Sequence, residues 1–197
     1  EAPEGFEFTL KAWQLITHEP KSPTYRKLKT PIPSSKEKRY GSFRPTDEVL
    51  AAWMRTKEVA EILRARVIVF QCPPSFGPTA EHRKNLVKFF TSLERKNFTL
   101  AWEPRGAWND RDIESLCREL DLVHIADPLK AATTSGKMRY YRLHGIGGYT
   151  YKYTDRDLEK LKTIANDEGR EMEIYFMFNN VYMYEDALAF KRVMEKS

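Results

Sequence analysis

The sequence predicts an α/β fold on a parallel sheet of the TIM-barrel type, incomplete, with six of the eight strands present. Three observations carry this. Apolar runs of strand length alternate with amphipathic stretches of helix length. Read at period two, the runs separate into an apolar face and a face bearing polar groups. Those polar groups fall in the last residues of successive runs, where the βα loops of a barrel build an active site.

The strand-like runs are 6–13, 66–72, 98–105, 122–127, 138–145 and 171–180. Between most of them lie helix-like stretches. Residues 46–64 carry an apolar stripe of Leu50, Trp53, Met54, Ala60 and Leu63, and 79–96 carry Leu86, Phe89, Phe90 and Leu93. The stretch 109–120 opens with Asn109 and has Asp112 three residues on. In 154–168, Thr154 and Asp157 have the spacing of a capping box, and Gly169 can close the helix. A last helix is expected over 184–196. The connection 128–137 carries no helical pattern.

Composition narrows the class of protein. The chain has 197 residues, 41% hydrophobic and 31% charged, which suits a single globular domain over 1–197 rather than a disordered or fibrous chain. No apolar run approaches the roughly 18 residues of a membrane-spanning helix, and no signal-peptide pattern opens the chain. Cys72 and Cys117 stand apart from any metal-spaced partner, so they are expected as reduced core thiols in a cytoplasmic protein. Two Gln against many Lys, Arg and Glu is a thermophile-like bias.

Charge is uneven. Residues 21–44 hold eight basic residues and one acid, a net of +7, and the rest of the chain carries −2. Five prolines flank or interrupt this stretch, so it is expected as a long, irregular, mobile basic loop. It is either a solvated insertion or a surface for anions or nucleic acid, with Tyr25, Tyr40 and Phe43 available to stack on bases.

The polar face is the candidate site. Lys11, Gln71, Glu103, Arg105, Asp127, Arg142, His144 and Asn179 all lie near the C-terminal ends of their runs on that face. Buried together they must pair with one another, with water or with a ligand, which leaves a self-satisfied ionic network or a functional site. Glu103, Asp127, His144 and Lys11 are the candidate catalytic groups, with His18 a second candidate imidazole. Two carboxylates and two imidazoles could hold a metal, but three cations among them favour an anionic ligand, so no metal is expected. Lys11 at a strand end has the placement of a low-pKa base. After Gly145–Gly148, Tyr149 and Tyr153 could cover a ligand. The glycine spacing is not that of a dinucleotide-binding fingerprint, and no cofactor is indicated.

These residues also resemble a family. Phe6-Glu7-Phe8-Thr9-Leu10-Lys11 followed by Thr17-His18, then Phe70-Gln71-Cys72-Pro73-Pro74-Ser75-Phe76, then Ala101-Trp102-Glu103-Pro104-Arg105 with Trp108, resemble segments of the YecE-like family, domain of unknown function seventy-two. So do Tyr141-Arg142-Leu143-His144-Gly145 with Tyr149 and Tyr153, and Phe178-Asn179-Asn180. The resemblance implies a TIM-barrel-like fold of unestablished activity. It adds Trp108 and Asn180 to His18, Gln71, Arg105, Arg142, Tyr149, Tyr153 and Asn179 as candidate substrate-binding residues. Two departures accompany it. The family's first two strand–helix units have no counterpart before Phe6, and the basic loop after His18 is long, closer to archaeal-type members. The expectations that follow are an enzyme acting on a phosphate- or carboxylate-bearing substrate, or else a nucleic-acid-associated binding protein using 21–44. An incomplete barrel is further expected either to have an upstream segment, since the chain opens on Glu1, or to pair as a homo-oligomer along an apolar edge.

Overall fold

In the computed structural model, which describes residues 2–196, the chain forms two units, Glu1–Leu122 and Val123–Ser197. The first is a parallel sheet with its helices. Strand β1 (Thr9–Lys11) leads into the short helix α1 (Gln14–Thr17), and α2 (Asp47–Ile62) returns the chain to β2 (Val67–Gln71). Helix α3 (Ala80–Ser92) connects to β3 (Thr99–Glu103), and α4 (Asp110–Glu119) follows. β1 pairs with β2 and β2 with β3, both parallel. The register sets Leu10 beside Ile68 and Ile68 beside Leu100, Phe70 beside Trp102, and Gln71 beside Glu103. Leu10, Ile68, Phe70, Leu100 and Trp102 therefore share the face that joins the helix-packed core, while Lys11, Gln71 and Glu103 fall on the other.

Helix starts follow local chemistry. Thr46, Thr79 and Asn109 each turn a side-chain oxygen back to an amide of the first turn, of Val49, His82 and Asp112 respectively. Phe43, wholly buried, has the rings of Phe70, Phe76, Phe89 and Phe90 at 5.2–6.1 Å. Such ring pairs each contribute about 0.5–1.5 kcal/mol beyond the area they bury.

Four expectations are corrected here. The strand expected over 6–13 is paired only over Thr9–Lys11, because Trp13 already caps a helix the sequence did not signal. Phe6 lies outside the strand, exposed, with its ring edge against Phe8 at 4.8 Å. The buried stripe of α2 is Val49, Ala52, Trp53, Thr56, Lys57 and Ala60, so Leu50 and Met54 face solvent. Residues 21–44 are not wholly irregular: 3₁₀ turns span Pro23–Lys27 and Ser34–Arg39, and Tyr25, Leu28, Ile32 and Tyr40 pack against the core. Ser42 and Phe43 are buried, at positive φ of 50° and 52°.

The second unit is βαβ-like. β4 (Val123–Ala126) pairs parallel with β5 (Arg139–Leu143), and β5 with β6 (Ile174–Phe178), with α5 (Asp155–Asp167) between them and α6 (Met183–Glu195) at the end. Tyr141 lies beside Phe176 and Leu143 beside Phe178, on the face that packs on α5 and α6 through Leu158, Leu161 and Phe190. Thr154 and Asp157 form the expected capping box, and Gly169 beyond the helix has a φ of +90°. Both cysteines are free and buried. Among the described residues no helix is long and apolar enough to cross a membrane.

Candidate functional site

At the C-terminal ends of β1, β2 and β3 the first unit gathers Lys11, His18, Gln71, Glu103 and Arg105. Glu103 is buried and shares one carboxylate oxygen between Arg105, whose Nε donates at 2.9 Å, and Gln71, whose Nε2 lies at 3.5 Å. The in-register pairing of β2 and β3 puts Gln71 there, and Arg105, just past the end of β3, reaches back to the Glu103 carboxylate.

His18 follows α1. Its ring is buried, and Nδ1 shares a 2.7 Å hydrogen bond with Thr17 Oγ1. Burial lowers its pKa from 6.5 to about 4, with the charges of Lys11 and then Arg105 acting in the same direction. At neutral pH the His18 imidazole is therefore neutral, beside the Glu103–Arg105 ion pair and Lys11. What fixes His18 has no signal in the residue pattern. Gly41, at φ +74°, runs so close that a Cβ there would stand 2.0 Å from the His18 carbonyl oxygen. Tyr25 OH donates to that same oxygen at 2.8 Å.

Trp108 stands apart from these groups. It is buried against Trp102 and Phe76, its Nε1 donates to Phe76 O at 2.6 Å, and the Arg83 guanidinium covers its ring.

In the second unit Arg142 donates to Asn179 Oδ1 at 3.0 Å, and Asn179 Nδ2 donates to His144 Nδ1 at 3.0 Å. That amide orientation leaves the imidazole proton on Nε2. Asp127 turns back on its own loop: Oδ1 accepts from Leu129 N at 3.2 Å and Oδ2 forms an ion pair with Lys130 at 3.5 Å. Lys130, which the sequence did not single out, also donates to Gly145 O at 2.8 Å. Tyr153 is buried and its hydroxyl accepts from Gly145 N at 2.8 Å, whereas Tyr149 is exposed. Asn180 is buried, donating to Asp186 Oδ2 at 2.6 Å and Tyr151 O at 2.8 Å, and so holds the loop after β6 to the start of α6. Among the described residues no group of three or more His, Cys, Asp or Glu is placed to hold a metal ion.

Six parallel strands alternating with helices, with polar groups at strand C-termini, define an α/β protein of the TIM-barrel-like class with two strands fewer than a closed barrel. The chain belongs to the family described as protein of unknown function DUF72, which matches residues 1–197. Two solved structures share its fold. A DUF72 family protein from Thermotoga maritima is 21% identical with a TM-score of 0.68, over 98% of this chain and 75% of that one. A DUF72 family protein from Enterococcus faecalis is 18% identical with a TM-score of 0.70, over 99% and 76%. No curated protein matches the chain.

Proposed function

We propose that the ends of β1–β3 form an acid–base site for a small anionic substrate bearing a phosphate or carboxylate. The observation that carries this is a buried carboxylate and a buried neutral imidazole set among two cations, Lys11 and Arg105, both exposed enough to meet a ligand. Lys11 and the planar fork of Arg105 bind the anion. Glu103, relieved of part of its pairing with Arg105, exchanges a proton with the substrate. His18 is poised by the same event, because the anion offsets the two charges that depress its basicity. The Arg142–Asn179–His144 chain at the ends of β5 and β6 suits an anionic group on its own account.

The test is a phosphate titration followed on the His18 ring by NMR. The expected result is a saturable shift, weakened in Lys11→Met and Arg105→Gln, while Glu103→Gln keeps or tightens binding. Absence of any phosphate-dependent change at His18, or an unaltered titration in both cation variants, overturns the reading.

A further inference from the structure

Two grooves of the first unit, of about 570 and about 560 Å³, meet at Trp13, sharing Trp13, Gln14 and Lys27 in their walls. One runs between the end of β1 and α2, where Arg55 and Val59 line it. The other runs along the basic segment past Lys29 and Lys36. Among the described residues no carboxylate lines either groove, in a chain with 28 acids against 33 bases. Lys27, Lys29 and Lys36 make no ion pair within 4 Å among the described residues, whereas Arg39 and Arg44 of the same segment are held by Glu48 and Glu19. Trp13 is 38% exposed, the most exposed of the four tryptophans.

We propose that this pair of grooves is a track for single-stranded nucleic acid, running past Trp13 and bordering the acid–base site at Lys11, which lines the first groove. An exposed indole between two cation-lined grooves matches what an unpaired strand offers, a flat base and flanking phosphates. The platform is preorganised. Trp13 N donates to Thr56 Oγ1 at 3.3 Å, its carbonyl accepts from Ile16 N at 3.0 Å, and Ala12 N before it donates to Val69 O at 2.9 Å. The cations are also held, because Tyr25, Leu28 and Ile32 anchor their segment on the core and Gln14 Nε2 reaches Thr24 O at 3.5 Å. A duplex hides its base faces and would leave the indole without a partner. An acidic peptide would satisfy the lysines but not the ring.

The experiment uses a labelled oligothymidine of about 12 nucleotides, with anisotropy read at salt between about 50 and about 200 mM. Expected are quenching of tryptophan emission on binding and an affinity loss of roughly ten- to hundredfold in Trp13→Ala, with most of it regained in Trp13→Phe. The variant Lys27→Gln/Lys29→Gln/Lys36→Gln should flatten the slope of log K against log salt by about 2. Far-UV circular dichroism establishes that each variant folds. Binding that ignores Trp13→Ala and the triple variant, equal affinity for duplex, preference for an acidic peptide, or no binding at low salt overturns the proposal. A concentration-dependent dimer that Trp13→Ala dissociates, without oligonucleotide binding, overturns it in favour of a second copy in the groove.

Discussion

Replacing Lys11 with methionine should raise the pKa of His18 by about one unit or slightly less. In the native protein that pKa is displaced from 6.5 to about 4, a distance of about 2.5 pH units. Burial is the largest cause, Lys11 the second and Arg105 the third, so Lys11 accounts for less than half. One pH unit corresponds to about 1.4 kcal/mol, the effect of a unit charge roughly 12 Å away at an effective dielectric of about 20. The magnitude is therefore ordinary for a charge across a small site. The assay is the pH titration of the His18 Hε1 resonance, assigned with His18→Gln and followed from about pH 3 to about pH 8. A wild-type midpoint near 6.5, or no upward movement in Lys11→Met, would refute the reasoning.

The same displacement sets a pH dependence of stability. Below about 6.5 the unfolded chain takes up a proton on His18 that the native state refuses until about pH 4. Stability from this group is thus complete at neutral pH and lost as pH falls through that window, by at most about 1.4 kcal/mol per pH unit. In Lys11→Met the window narrows from its lower end. Urea midpoints of the two proteins at neutral and mildly acid pH should show the smaller acid loss in the variant.

Gly41→Ala should destabilise the protein by at least about 2 kcal/mol in urea unfolding, because it combines a left-handed backbone with a clash against a backbone oxygen; an unchanged midpoint would show that the loop does not press on His18. Native Cys72 and Cys117 should resist a thiol reagent and both react in denaturant, since burial pushes the Cys117 thiol up to about 12 and the Cys72 thiol well above its usual range; rapid labelling of the folded chain would place one of them at the surface.

Much of the fold was legible because the sheet strands obey a simple period. Ile68, Phe70, Leu100 and Trp102 declare one face, and Gln71 and Glu103 declare the other, and their register follows from parallel pairing. Helix starts were legible where a single side chain does the work, as at Asn109 and Thr154. The stripe of α2 was not, because that helix is apolar on more than its buried face: Leu50, Met54, Val59 and Ile62 are all exposed. Phe43, which its basic surroundings offer as a base-stacking aromatic, is the centre of the aromatic core, because three-dimensional return of a loop leaves no periodic signal. In the site, the pairing of Glu103 with Gln71 followed from strand parity, and Arg105 joins them from just beyond β3. Lys130 and Gly41 act through backbone carbonyls, a role that residue type alone does not announce.

The basic segment thereby acquires a structural role the charge count concealed. On its return, Gly41 N donates to Leu15 O at 2.8 Å, Ser42 N to Thr17 O at 3.3 Å and Phe43 N to Ile16 O at 2.9 Å, so it docks along the four-residue helix α1. An isolated helix of that length has no stability of its own. Its geometry, and with it the position of His18 one residue on, is set by this clamp, by Tyr25 on the His18 carbonyl and by Phe43 driven into the aromatic core. The lysines of the same segment line the groove beside Trp13, which caps the other end of α1. Any ligand that draws Lys27 and Lys29 towards Trp13 pulls on the segment that holds His18, so occupancy of the groove and the titration of His18 should be linked through α1.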